Sequence, residues 1–275
     1  MRTILSVSMI FALIGMAYAH DGWVQSNVPR AAQGDMVYID MQFGNHGNTH
    51  RDYKIWASKW DKEKAVFTLY TPRGEMIDLT ESVMDLGVDE AKAFCGGATT
   101  YIDKNGYLSA SFLAREKGIY IVDGRQDLVV SYAPERSIKC AKAIVGAVLS
   151  RRVNRIKPLR GYDSILGQEL EVVPLNDPTG LAVGDTLSVQ VLFKGVPLPD
   201  AHISFIPRGR ELPPFGVENP YDVMTDMGGI ASFTFDEANY HLIVMHVYTS
   251  ESGELDGKAY AQTKYAASLT VIVNP

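Results

Sequence analysis

Positive charge is the first thing this chain is short of. Twenty-six Lys and Arg stand against 32 Asp and Glu, a formal net charge of −6 over 275 residues. Nucleic-acid binding rests on neutralising phosphates with clustered Lys and Arg, and a pI near 5.5 leaves no such footprint. Cysteine is scarce as well: there are two, Cys95 and Cys140, far apart in sequence. Thiolate metal and redox centres usually show C-x-x-C spacing, so that class is set aside. Catalytic signatures are missing too. No G-x-S-x-G elbow, no phosphate-cradling glycine loop and no H-E-x-x-H occurs, so the chain is read as a non-enzyme. Beyond residue 19 no apolar run reaches the ~20 residues of a membrane helix, and no membrane span is expected.

What is present begins with a leader. Met1-Arg2-Thr3 supplies one charge, Ile4 to Met16 is apolar apart from Ser6, Ser8 and Gly15, and Ala17-Tyr18-Ala19 has the small-x-small form of a cleavage site. Residues 1–19 therefore read as a secretory signal peptide, which makes the protein exported and periplasmic. In an oxidising compartment an even pair of cysteines predicts one structural disulfide, Cys95 to Cys140.

The remainder is patterned mainly for strands. From residue 20 to 133, runs such as Met36–Met41, Ala65–Tyr70, Tyr107–Phe112 and Gly118–Val122 alternate at period two between Gly, Pro and Asn turn residues, as antiparallel β-structure requires. Residues 134–163 differ. Ile138, Ala141, Ile144, Val145 and Val148 follow at helical spacing behind Pro134, and five basic residues lie between Arg151 and Arg160. This predicts a short, basic helical connector. From residue 164 to 275 six strand candidates recur about every ten residues, the rhythm of a β-sandwich. The expected fold class is all-β: two immunoglobulin-like β-sandwich domains, 20–133 and 164–275, joined by that connector.

Chemistry is concentrated in six histidines: His20, His46, His50, His202, His241 and His246. Cleavage after Ala19 makes His20 the first mature residue. Its α-amine and imidazole Nδ1 together close a six-membered chelate ring on a metal, and both titrate near neutrality. His46 and His50 sit in the polar loop Phe43-Gly44-Asn45-His46-Gly47-Asn48-Thr49-His50, the kind of segment that carries binding groups on a β scaffold. His241 and His246 share one strand five residues apart, so they face opposite sides and at most one joins a given site. His202 stands alone beside a turn and reads as exposed.

Several of these features occur together in a known family. His20-Asp21-Gly22-Trp23-Val24, Gly44-Asn45-His46-Gly47, Leu166–Pro178, Gly184-Asp185, Gly195-Val196-Pro197-Leu198, Thr225-Asp226-Met227-Gly228-Gly229 and Ala266–Val271 resemble a bacterial periplasmic domain-of-unknown-function family, some of whose members accompany nickel/cobalt uptake transporters. The family start is His-Asp or His-Glu followed by an aromatic; here Gly22 intervenes before Trp23. The resemblance implies an exported, soluble metal-binding protein that captures Ni(II) or Co(II), with Cu or Zn less favoured, for an envelope uptake transporter. The expected ligands are His20 and His46, completed by His50 or His246, with Asp21 orienting an imidazole. Imidazole and amine donors suit late divalent ions rather than Mg²⁺ or Ca²⁺. Two other expectations stand beside this one: a metal-free binding or assembly module of immunoglobulin-like domains, and a copper redox protein built on the N-terminal His chelate.

Overall fold

The computed structural model describes residues 21–44, 60–86, 92–95, 98–101, 107–149, 158–210, 212–213 and 217–275; for residue 44 and for those between 92 and 107 it describes backbone only. Among the described residues the chain is all-β, and its helical pieces are two single 3-10 turns, Thr80–Ser82 and Pro178–Gly180.

Three sheets form the body. A front sheet orders Asp21–Ser26, Met36–Gly44, Tyr107–Leu113 and Met84–Asp85. A back sheet is built around Thr186–Phe193, which pairs with Leu170–Pro174, Val196–Pro197 and Ile230–Thr234. Between them runs a nine-stranded central sheet. Its order is Asp222–Met224, His202–Pro207, Tyr240–Thr249, Gln262–Ile272, Glu135–Val148, Gly118–Val129, Ala65–Tyr70, Met76–Asp78, with Arg30–Ala32 also pairing Glu135–Val148.

The segment expected to be helical is the middle of that sheet. Glu135–Val148 is one 14-residue strand, buried along nearly its whole length. One edge pairs antiparallel with Gly118–Val129; the other pairs parallel with Gln262–Ile272 and then with Arg30–Ala32. Its side chains alternate between two cores. Ala141, Ala143, Val145 and Ala147 face the front core, whereas Ile138, Cys140 and Ile144 face the back core. A strand covered on both faces has no polar phase, and its polar residues Glu135, Arg136, Ser137, Lys139 and Lys142 are divided between the two faces, so no period-two alternation marks it. The boundary expected at 134–163 thus falls within a sheet shared by the two halves of the sequence.

The N-terminal strand ties the halves together as well. Asp21–Ser26 is buried at every position. It pairs with Met36–Gly44 on one side, and its carbonyls accept hydrogen bonds from the C-terminal half, Ser268 Oγ to Gly22 O at 3.0 Å and Thr270 Oγ1 to Val24 O at 2.7 Å. The indole of Trp60 lies directly against Gly22: a Cβ built there would stand 2.5 Å from Trp60 Cζ2. Trp60 is fixed in turn by Nε1 donating to Gln42 O at 2.9 Å and by edge contacts with Phe43 and Phe67. Gly22 is therefore the residue that lets the strand pass over the ring.

A buried ion pair joins the central and back sheets. Lys142 Nζ is 2.5 Å from Glu171 Oε1, with both side chains at most 2% exposed. Glu171 also accepts from the backbone N–H groups of Leu166, Gly167 and Gln168 at 2.6, 3.0 and 3.1 Å. Gln168 Nε2 donates to Asp123 Oδ1 at 2.6 Å, and Arg125 Nε to Asp123 Oδ2 at 2.8 Å. The turn leading into the back sheet is held by these charges to strands from the front half.

The expected disulfide is not seen. Cys140 is a free, buried thiol facing the back core, with Sγ 3.9 Å from Glu169 Oε2. Burial and the Glu169 carboxylate push its pKa up to about 12, the opposite of an activated thiolate. The Cys95 side chain lies outside the described residues.

Candidate functional site

Alternation along Tyr240–Thr249 separates its two histidines, as their odd spacing requires. His241 is 1% exposed. Its ring packs edge-on against Phe235 at 4.6 Å, with Nδ1 3.3 Å from Asn239 O, and burial lowers its pKa. It is a core histidine. His246 points the other way, to the front face, where Nε2 meets Asp21 Oδ1 at 2.7 Å. Its side chain is 31% exposed and that of Asp21 5%.

That pair anchors a cluster of polar side chains at the start of the first strand. Lys264 Nζ lies 3.7 Å from the same Asp21 oxygen, with a side chain only 2% exposed, and sits 5.7 Å from the centre of the Tyr248 ring. One strand over, Lys139 is 4% exposed. Its ammonium donates to Ser137 Oγ at 3.0 Å and lies 5.2 Å from the centre of the Phe43 ring. Burial first, then repulsion from Lys264, lowers its pKa to about 8, opposed by the Asp21 and Glu135 carboxylates. The register makes this neighbourhood: in the parallel pairing Ser137 stands opposite Lys264 and Lys139 opposite Ala266, and His246 stands opposite Ala266 from the other side.

Of the expected metal ligands, His20, His46 and His50 lie outside the described residues. Among the described residues no group of three or more His, Cys, Asp and Glu side chains is arranged to hold a metal ion. His246 and Asp21, expected separately as ligand and orienting carboxylate, are brought into contact. His202 is exposed, with Nε2 3.0 Å from Asp222 Oδ2, and joins no site. Lys139, Lys264 and Ser137 were not legible as site residues. Read as a helix, 134–149 places Lys139 away from the apolar face formed by Ile138, Ala141, Ile144, Val145 and Val148. Nearby on the same face, Trp23, Ile206, Arg208 and Tyr240 line a small recess, with the Trp23 indole donating to Gln42 Oε1 at 2.7 Å.

The sequence matches the family described as a domain of unknown function, DUF4198, over residues 17–248. The chain belongs to the DUF4198 family. The matched stretch runs through both halves and the shared central strand, as one unit. Among curated protein sequences none matches. Solved structures that overlay on this DUF4198 chain do so distantly. A DUF4785 family protein from Legionella pneumophila subsp. pneumophila is 14% identical with a TM-score of 0.28, covering 81% of this chain and 50% of its own. The DUF4198 chain thus spans half the length of that protein. The D0-D1 domain of Intimin is 11% identical at a TM-score of 0.22, covering 92% of this chain and 100% of its own. Salmonella alpha-2-macroglobulin reacted with methylamine is 10% identical at 0.24, covering 93% and 15% respectively.

Proposed function

We propose that this DUF4198 protein is an exported metal-binding protein that captures a late divalent ion, Ni(II) or Co(II) before Cu(II) or Zn(II), for an envelope uptake transporter. The observation that carries the reading is the Asp21–His246 contact of 2.7 Å. An ionised carboxylate only accepts, so Nε2 is the donor, and the neutral ring in that tautomer has its free lone pair on Nδ1. A half-exposed imidazole whose far nitrogen is held by a buried carboxylate is the arrangement metal-ligating histidines use to fix tautomer and raise basicity.

In sequence, His20 directly precedes Asp21, and His46 follows by two the residue paired with Asp21, Gly44. The bound ion is cargo: the protein's part is to offer neutral nitrogen donors and to keep His246 oriented. Asp21→Asn should weaken Ni(II) binding about 10–100-fold by loosening that orientation, His246→Ala should weaken it at least as much, and His202→Ala should leave it unchanged. Calorimetric titration reads all three. Unchanged affinity in the first two variants would remove this site, and no binding by the unaltered chain would leave a metal-free binding module as the better reading. Oxidase activity of a copper-loaded sample would instead favour the copper redox protein.

A further inference from the structure

The two buried lysines behind His246 are not explained by metal capture. Lys139 carries three N–H donors and is 4% exposed, yet its one hydrogen-bond acceptor is Ser137 Oγ at 3.0 Å. Its other partner is the face of Phe43, centred 5.2 Å away. Among the described residues no carboxylate comes within ion-pair distance of this ammonium. Glu135, the nearest acid on its own strand, accepts instead from Gln262 Nε2 at 2.7 Å. Ser137 is equally notable: it is 2% exposed, its oxygen is used by Lys139, and its own O–H has no acceptor among the described residues. A second ammonium, Lys264, stands close by on the adjoining strand and shares Asp21 with His246.

Unanswered buried donors are costly, and an ammonium in low dielectric costs far more than a hydroxyl. Replacing such a group with an apolar side chain would ordinarily stabilise a fold. Here the chain keeps N–H and O–H donors two residues apart on one strand face, so both point the same way, beside a second positive charge. Donors without acceptors among the described residues, beside a second ammonium, are complementary to a small anion rich in acceptors. A planar carboxylate presents two oxygens, one for each donor.

We propose that Lys139 and Ser137, backed by Lys264, form a buried anion site that takes a small carboxylate or a carboxylate-bearing metabolite. The site does not rest on the metal reading, because none of its donors is a proposed metal ligand.

The test is calorimetric titration of the full, metal-free chain with sodium formate and sodium acetate at constant ionic strength, with chloride and sulfate as reference anions. Saturable binding of formate or acetate, absent for chloride and weaker for sulfate, is the expected result. Lys139→Met should abolish it. Ser137→Ala should weaken it about tenfold, the weight of one charge-assisted hydrogen bond. His202→Ala should not change it. If Lys139→Met fails to fold, Ser137→Ala and the anion series still decide. No saturable carboxylate binding, or equal binding of formate and sulfate that Ser137→Ala leaves untouched, would overturn the proposal and leave the donors to water. Loss of Ni(II) binding with carboxylate binding intact would overturn the metal reading alone.

Discussion

Replacing Glu171 by Gln should be among the most damaging single changes on the back face of the central sheet. The substitution keeps shape and removes charge. It leaves Lys142, at most 2% exposed on its side chain, without the carboxylate now 2.5 Å away, and offers one acceptor oxygen where Leu166, Gly167 and Gln168 use two. Breaking a buried pair by removing one partner costs about 3–5 kcal/mol, because the surviving charge remains buried. The loss should depend on pH with a definite sign. Burial already lowers the Lys142 pKa, and Glu171 is the main influence holding it up. Without Glu171 the folded-state value falls further below the unfolded one. The unfolded chain then binds more protons between the two values, so stability rises with pH across that window. The deficit of Glu171→Gln relative to the unaltered chain should therefore be largest at pH 7 and smaller at pH 9.5. The double variant Lys142→Met/Glu171→Gln should recover much of it, since no charge is left buried. Urea denaturation followed by tryptophan fluorescence measures all of this. A loss below about 1 kcal/mol at pH 7, or one that does not change with pH, would show that the pair is solvated and the argument mistaken.

Gly22→Ala should cost about 1–3 kcal/mol, because a methyl must displace the Trp60 ring from a packed site; an unchanged urea midpoint would refute the close approach. A fragment spanning 164–275 should not fold alone. Its strand Gln262–Ile272 would lose the nine pairs it makes with Glu135–Ala143, and its core would lose Ile119, Ile121, Ile138, Cys140 and Ile144; a cooperative thermal transition of that fragment would contradict the shared sheet. Cys140, buried and with its pKa pushed up to about 12, should resist a thiol reagent at pH 8 in the native protein and react in denaturant. Rapid native labelling at that position would mean the back core opens.

Strands covered on one face were legible in the sequence. Met36–Gly44 and Ala65–Tyr70 alternate because one side meets the front core and the other is more open. Glu135–Val148 was illegible for the opposite reason: buried on both faces, it lacks the polar phase that identifies a strand, and its Ile and Ala residues fit a helical period by accident. With that strand misplaced, the shared sheet and both lysine positions were out of reach. A parallel pairing between residues over 100 apart in sequence, as between Glu135 and Gln262, leaves no local signal at all. At the site, the opposite facing of His241 and His246 followed from counting alone. The contact between Asp21 and His246 did not, because it depends on how the first strand crosses the C-terminal half.

The central claim is best tested at the end that cleavage after Ala19 would expose. Protein beginning at His20 and protein carrying a Gly-Ser extension before it should be titrated calorimetrically with Ni²⁺, Co²⁺ and Cu²⁺. The extension converts a basic amine into an amide, removing one donor and the chelate ring with it, so binding should weaken by at least about 10–100-fold. Equal affinities for the two forms would mean that the terminal amine is not a ligand, and the N-terminal metal site would be contradicted.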